Sequence, residues 1–472
     1  MEILKKFNFL YFLTILSLII YSCNNEVGED EQKPNKLVSV TLNSKIGDCQ
    51  NDSIAIIQDD STYLEVNCGE LILYNPTGIN KDTLLSEIRA ELLVLGYSDS
   101  IQIVSTCKGC NDKLLLLKGV NLHKYSIKLS PGDGASCPNP KQACQQPYSV
   151  VMKSQLGKND LLTNINLDNI DYLKKSFKIS NKKLIVVLDT GLKPTDEYIE
   201  NNKSSLVVEN GKIGVIGINQ RDTTDKSGEP EDSPRELEDS SESVLEASDG
   251  RLHGTKIVKI IQSQIGNMPN IKIIPIKITE NCPGDLFNAL CGLLVSSELN
   301  ADLVNVSWTY GANYDVRYVS RNILREIKNK NPHLKIIAAA GNENIDLDNL
   351  KFRNYPACFN NEKEFRDMIF SVTSVWHKNL SSIKEIENYS ESGRFVDVGV
   401  LCKSNSNKFP IPEANNYFSL SYGTSYATAY ITGQIAKNNC WTLKKSQIYS
   451  SNRFLIHTNN IQNVPDYLYN PN

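Results

Sequence analysis

The sequence predicts an α/β unit with a mostly parallel central sheet over residues 148–447, preceded by a small α+β domain over 38–130. Three observations predict it. From about residue 148 short apolar runs, at 184–188, 213–218, 271–276, 303–306, 336–340, 369–375 and 395–400, alternate with helical patterns, which is the signature of strand–helix–strand units. Residues 131–147 (PGDGASCPNPKQACQQP) have the composition of a linker and mark the boundary between two styles of sequence. A chain of 472 residues with 40% hydrophobic content has room for two or three ordinary cores. Net charge is −4 with no long basic stretch, so nucleic acid is not an expected partner.

The chain opens with a targeting pattern over residues 1–22. Lys5 and Lys6 are followed by an apolar core at 10–21, too short to span a bilayer comfortably. Ile20-Tyr21-Ser22-Cys23 closes it. A small residue before Cys resembles the lipobox of bacterial lipoproteins, with Tyr21 an imperfect second position. The resemblance implies cleavage before Cys23, lipidation of its thiol and a membrane anchor; the other reading is a plain secretory signal. Either way the mature chain leaves the cytoplasm, as an envelope lipoprotein of the outer membrane or cell surface, or secreted. Residues 23–37 are polar and acidic and read as a flexible tether.

In the small domain, 71–74, 101–105 and 114–117 read as strands and 81–95 as a helix capped by Asp82-Thr83. Further on, residues 221–249 carry eleven acidic side chains against three basic ones and few large apolar residues. The segment reads as an exposed loop, with attraction of basic peptides as the second reading. Residues 448–472 read as a tail. Outside the cytoplasm, the eleven cysteines beyond Cys23 point to disulfides. Cys107 with Cys110, Cys137 with Cys144, and Cys282 with Cys291 are close enough in sequence to pair locally. Zinc is the weaker reading, because Cys107–Cys110 has no second C-x-x-C or His pair at the right spacing. A thioredoxin-like role is weaker still.

Four stretches carry chemistry. The strand 184–188 runs into Asp189-Thr190-Gly191, placing a carboxylate at a strand's carboxyl end, where ligands collect in open α/β sheets. His253-Gly254-Thr255 opens an amphipathic run, so the imidazole begins a helix. The buried run 336–341 ends in Asn342, and Gly423-Thr424 delivers Ser425 to an Ala-rich helix with Ala427, Ile431 and Ile435 on one face. Taken alone, Ser425 reads more readily as a helix cap. Together the four fill the roles of one reaction: Asp189 to orient an imidazole, His253 to take a proton, Ser425 to attack, Asn342 to receive negative charge.

The order Asp…His…Asn…Ser, within DTG, HGT, AAGN and GTSxA, resembles the subtilase (subtilisin-like) family of serine peptidases over roughly residues 150–447. Leu303-Val-Asn-Val-Ser307, Tyr355-Pro356-Ala357 and Gly393-Arg-Phe-Val-Asp397 agree with it. The resemblance implies a subtilisin-like three-layer fold and hydrolysis of protein or peptide substrates by an Asp189–His253–Ser425 triad. It also implies an oxyanion hole of Asn342 and the Ser425 N–H, and no cofactor. An extended substrate is expected to pair with the backbone near Ser307, Trp308 and Thr309 and along 339–341, including Ala340 and Gly341. Thr309 stands where Gly is frequent beside the specificity pocket, and Trp308 is either a wall of that pocket or a packing residue. Tyr426 replaces a frequent Met, Ala429 a usual Pro, and Leu401-Cys402 a common Pro-Gly. Those neighbours keep open a catalytically inactive binding scaffold, beside a general endopeptidase and a dedicated maturation peptidase. No calcium loop is read, and no metal is expected. The small domain resembles a propeptide that assists folding and blocks the active site; an accessory module or spacer is the alternative.

Overall fold

The computed structural model describes residues 70–76, 79–94, 101–119, 182–209, 211–218, 252–279, 284–311, 314–342, 346–348, 353–377, 396–401 and 408–438, with short pieces at 45–46, 54–58, 63–67, 141–142, 162–164, 171, 174–175, 386–387, 448–450 and 455–458. The signal and Cys23, the tether, the acidic segment and the cysteines Cys137, Cys144 and Cys282 lie outside the described residues. Among the described residues no helix is long and apolar enough to cross a membrane.

In the N-terminal unit, strands β1 (Glu70–Tyr74), β2 (Gln102–Thr106) and β3 (Leu114–Lys118) form an antiparallel sheet in the order β1-β3-β2. Helix α1 (Lys81–Val94) packs on it through Leu84 and Ile88. Its cap is Asn80 rather than Asp82 or Thr83: Asn80 Oδ1 accepts from both of their N–H groups, at 2.9 and 3.3 Å, which is how a side-chain amide satisfies first-turn donors. Residues 141–142, inside the stretch read as linker, pair antiparallel with Gly284–Asp285.

The main unit is built on β4 (Lys183–Asp189), β5 (Lys212–Gly217), β6 (Ile271–Lys277), β7 (Leu303–Val306), β8 (Lys335–Ala339), β9 (Ile369–His377) and β10 (Val398–Leu401). They run parallel in the order β5-β6-β4-β7-β8-β9-β10. The helices are α2 (Glu197–Asn201), α3 (His253–Ile265), α4 (Leu286–Glu298), α5 (Tyr314–Lys330) and α6 (Thr424–Asn438). A hairpin of β11 (Lys408–Pro412) and β12 (Phe418–Tyr422) leads into α6. The sheet does not stop at residue 447: β13 (Ile448–Ser450) and β14 (Leu455–Thr458) extend it, β14 parallel to β10. Residues read as tail thus belong partly to the sheet, because their apolar run completes the open edge of β10.

Side-chain alternation along β4 explains the layers. Leu184, Val186 and Leu188 enter one buried cluster with α4 and α5, while Ile185 and Val187 enter another with α3 and α6. Helix α4 is buried along its whole length, as an all-round apolar helix must be. The sheet covers one side of α4, and Ile72, Tyr74, Leu114 and Leu116 of the N-terminal unit belong to the same cluster. Tyr74 and Lys113 add contacts to Glu326 of α5, Lys113 Nζ at 2.5 Å.

Candidate active site

The chain order switches direction beside β4: β5 and β6 lie on one side of it and β7 on the other. Such a switch point opens a crevice beyond the carboxyl ends of the strands, and Asp189 sits there as the last residue of β4. Its carboxylate is 4% exposed. His253 Nδ1 lies 2.8 and 2.9 Å from the two carboxylate oxygens, and Oδ1 also accepts the Thr190 N–H at 2.8 Å.

This pairing depends on close backbone approach. Gly254 N–H donates to Thr190 Oγ1 (3.1 Å) and Lys193 N–H to Thr255 Oγ1 (2.8 Å), so the threonines of DTG and HGT stitch the loop to the start of α3. A Cβ on Gly254 would stand 2.3 Å from Gly191 O and 3.2 Å from Asp189 Cβ. Only hydrogen fits there. Deeper along the same helices, a Cβ on Gly433 of α6 would meet Gln264 Cβ at 2.5 Å, so α3 and α6 also touch at backbone distance.

Ser425 is the second residue of α6, in the first turn, whose N–H groups have no intrahelical acceptor. Gly423 reaches it with φ 135°, a conformation that favours glycine. The Thr424 N–H donates to Asn342 Oδ1 at 2.7 Å, which orients the Asn342 amide against the same turn. Asn342 follows Gly341, whose φ of 127° turns the chain out of β8. The Tyr426 ring stands 5.7 Å from the His253 ring, tilted 55°. The residue replacing the family's frequent Met is therefore a buried packing partner of the imidazole.

The structure thus brings Asp189, His253, Asn342 and the Ser425 turn together, with one departure from the expected chain of contacts. The Ser425 hydroxyl donates to Ser307 O at 2.9 Å rather than to the imidazole. The Ser307 hydroxyl in turn lies 3.0 Å from Ser425 O and 2.9 Å from Asn305 Oδ1.

The expected substrate contacts divide. Ser307 and Thr309 are both buried, Ser307 against Ser425. Trp308 is 7% exposed and its indole N–H donates to Leu188 O at 3.0 Å, so it packs against the end of β4. Ala340 already uses its N–H on Val372 O (2.8 Å) and its carbonyl on Asn354 Nδ2 (2.9 Å). The Ala340 N–H thus ties the end of β8 to β9, and its carbonyl holds the Asn354 side chain.

Two networks were not anticipated from the sequence. Thr424, Thr428 and Thr432 recur every four residues on α6. Thr428 and Thr432 each bond back to the carbonyl four residues earlier (2.8 Å), and Asn305 Nδ2 of β7 donates to Thr432 Oγ1 (3.0 Å). An Asn inside the apolar strand LVNV, with Thr at i, i+4 on a buried helix, was the available signal. Lys259 of α3 is buried between Asp196, at 2.9 Å, and Glu413 of the hairpin, joining the loop after Asp189 to the hairpin before Ser425. A lysine on the apolar face of an amphipathic helix was its signal.

A carboxylate–imidazole pair beside a buried serine at a helix start, with a side-chain amide fixed on the same turn, defines the serine hydrolases of nucleophile–base–acid type. The family model described as the subtilase family matches residues 180–462, more than half of the chain. The protein belongs to the subtilase family and is a serine endopeptidase of that type. No curated protein sequence matches it. Among solved structures, a lanthipeptide protease is 18% identical, over 56% of this chain and 75% of its own, with a TM-score of 0.37. The epidermin leader peptide processing serine protease from Staphylococcus aureus is 14% identical over 78% and 87%, with a TM-score of 0.43. A cold adapted subtilisin-like serine proteinase is 18% identical over 58% and 85%, with a TM-score of 0.35.

Proposed function

We propose that Asp189, His253 and Ser425 are the catalytic triad of an exported, lipid-anchored endopeptidase, with Asn342 and the Ser425 N–H as the oxyanion hole. The observation that carries the reading is the pair of 2.8 and 2.9 Å contacts from His253 Nδ1 to Asp189, which fixes Nε2 as the atom facing away from the carboxylate. For attack, the Ser425 hydroxyl rotates from Ser307 O to donate to Nε2. His253 takes that proton as Oγ bonds to the peptide carbonyl carbon, and passes it to the leaving amine. Water then hydrolyses the acyl-enzyme by the same route. The carboxylate holds the tautomer and stabilises the imidazolium, while Asn342 Nδ2 supports the oxyanion.

Export and anchoring rest on the lipobox-like ending at Cys23. Two or more acyl chains there hold the protein durably at a membrane surface, at about 0.8 kcal/mol per buried methylene. The N-terminal unit acts as an autoinhibitory propeptide-like domain, a reading supported by its strand–helix–strand build and its packing on α4 and α5 of the peptidase unit. Labelling with a fluorophosphonate probe tests the nucleophile: wild type is tagged and Ser425→Ala is not. An untagged wild-type protein of native fold overturns the triad. Cleavage of a proteome-derived peptide library reads the breadth of substrates, and cutting confined to one precursor replaces the general endopeptidase with a maturation enzyme. N-terminal sequencing of envelope-derived protein reads the domain's fate: a chain that still begins at Cys23 refutes a removable propeptide.

A further inference from the structure

Three cysteines meet in the apolar seam between the N-terminal unit and α4. Cys107 and Cys110 bound the turn between β2 and β3, held by Cys107 N–H to Leu114 O (2.9 Å) and Cys110 N–H to Cys107 O (3.4 Å). Cys291 faces them from α4, 184 residues later. Their sulfur atoms lie within 4.8 Å of one another, and none of the three residues is more than 1% exposed. Cys107 is within disulfide reach of both others: its Cα lies 5.5 Å from that of Cys291 and 6.0 Å from that of Cys110, each within the span a disulfide bridges. A sulfur forms one such bond at a time. A disulfide from Cys107 therefore takes one of two forms, to Cys291 or to Cys110, and either leaves the third cysteine as a thiol.

We propose that Cys107, Cys110 and Cys291 form a thiol–disulfide exchange site that joins the N-terminal unit covalently to the peptidase unit. In the locked isomer Cys107 is bonded to Cys291. A disulfide-donating oxidant of the exported compartment supplies that bond, its own disulfide being reduced to two thiols as the two protein thiols are oxidised. In the exchange step the Cys110 thiolate attacks Cys107 Sγ and the Cys107–Cys291 bond breaks. Cys291 leaves as a thiolate and takes up the proton that Cys110 gave up. The step consumes no oxidant, and it leaves the N-terminal unit with no disulfide to α4, its apolar seam and the Glu326 contacts remaining. A cut in the chain between the units thus ends the covalent link in one isomer and not in the other.

A metal centre fits less well. Structural zinc takes four protein ligands, and three-ligand zinc keeps a position open to water. Among the described residues the cluster has three ligands and no exposed face. The inference shares only the exported location with the proposal above, and cell fractionation tests that location separately.

The test uses full-length Ser425→Ala protein from the envelope fraction, alkylated without reduction. Digestion with trypsin and a protease cutting after Asp and Glu separates Cys107, Cys110, Cys282 and Cys291, through cuts at Lys108, Asp285 and Glu298. Mass spectrometry should find the Cys107 peptide bonded to the Cys291 peptide, with Cys110 alkylated. In Cys110→Ser all Cys107 should be bonded to Cys291, and in Cys291→Ser to Cys110. With a site-specific protease sequence inserted in 131–147, cleaved Cys110→Ser should run as one species on a non-reducing gel and cleaved Cys291→Ser as two fragments. Three alkylated thiols in envelope-purified protein overturn the proposal. So does stoichiometric zinc that protects the thiols until chelated, or a Cys291–Cys282 bond.

Discussion

Replacing Asp189 by Asn tests the pairing on which the proposed catalysis depends, because it keeps shape while removing charge and one acceptor. The Asp189 carboxylate accepts from Thr190 N–H through Oδ1 and faces Nδ1 of His253 with both oxygens. In the variant the amide oxygen keeps the Thr190 bond, so the NH2 occupies the Oδ2 position, 2.9 Å from Nδ1 in the parent. Two donors cannot face each other there, so the imidazole proton moves to Nε2, the atom that must accept the Ser425 proton. The imidazolium also loses its counter-charge. At about 4 Å between charge centres and an effective dielectric of about 20, that loss is about 4 kcal/mol. At 1.36 kcal/mol per decade this is roughly 10³ in rate. With the tautomer penalty, kcat/KM should fall about 10³–10⁴-fold, in line with the same change in an unrelated serine-protease fold. The assay is hydrolysis of internally quenched peptides, alongside fluorophosphonate labelling rate and thermal unfolding. A loss below about tenfold with an intact fold would refute the reasoning.

Asn342→Ala should lower kcat by about 10²–10³ with little change in KM, a magnitude established on a subtilisin and transferred to this chain; an equal loss in KM would mean that the amide binds ground-state substrate. Gly254→Ala should destabilise by about 1–3 kcal/mol in denaturant titration and abolish most activity, because its Cβ collides with Gly191 O; a variant as stable and active as wild type contradicts the close approach. Lys259→Met should cost about 1–3 kcal/mol, below the value for a fully buried pair because Glu413 is partly exposed, and unchanged stability would show that the pair contributes nothing. Burial pushes the Asp397 carboxyl up to about 6 against the hydrogen bonds from Ser371 N–H and Asn360 that favour the anion. The folded state thus holds this proton more tightly than the unfolded state does. Its contribution is full below the unfolded value near 4 and is lost as pH rises toward 6, by about 3 kcal/mol in all. In the Ser425→Ala background, Asp397→Asn should remove that slope between pH 4 and 6, and an unchanged slope would assign it to other groups.

The seven parallel strands were legible because a strand buried on both faces must be apolar almost throughout. Their observed bounds differ from the expected ones by at most three residues, the largest shift being at β10, where the run from 395 starts before the pairing at Val398. The DTG, HGT, AAGN and GTS stretches were legible because each carries a polar group at the end of an apolar element. The hydrogen-bond partners were not. The Ser425 hydroxyl turns to Ser307 O, and the Trp308 indole to Leu188 O, through contacts made by residues far apart in sequence. The Cys107–Cys291 pairing was invisible for the same reason: local spacing suggested Cys110 and Cys282, while tertiary packing of β3 on α4 brings in a partner 184 residues away. Asn80 is the helix cap because the helix begins at Lys81, as expected, which puts Asp82 and Thr83 inside its first turn as donors.

The arrangement of contacts has a consequence for how the site is held. Asp189, His253, Asn342 and Ser425 are positioned mainly by backbone groups and by threonine and asparagine side chains beneath them: Thr190 to Gly254, Thr255 to Lys193, Thr424 N–H to Asn342, Asn305 to Thr432. Site geometry is then a property of how β4, β7, α3 and α6 pack, and the reacting side chains add little to it. Removing the Ser425 hydroxyl loses one buried hydrogen bond, to Ser307 O, worth about 1 kcal/mol. Widening the α3–α6 contact at Gly433, where an added Cβ meets Gln264 at 2.5 Å, forces two helices apart and moves His253 relative to Ser425. Gly433→Ala should therefore lower both melting temperature and turnover, although the residue lies two turns from the nucleophile, whereas Ser425→Ala should lower turnover with a small change in melting temperature. If the two variants lose stability equally, the scaffold does not hold the site independently of its reactive groups.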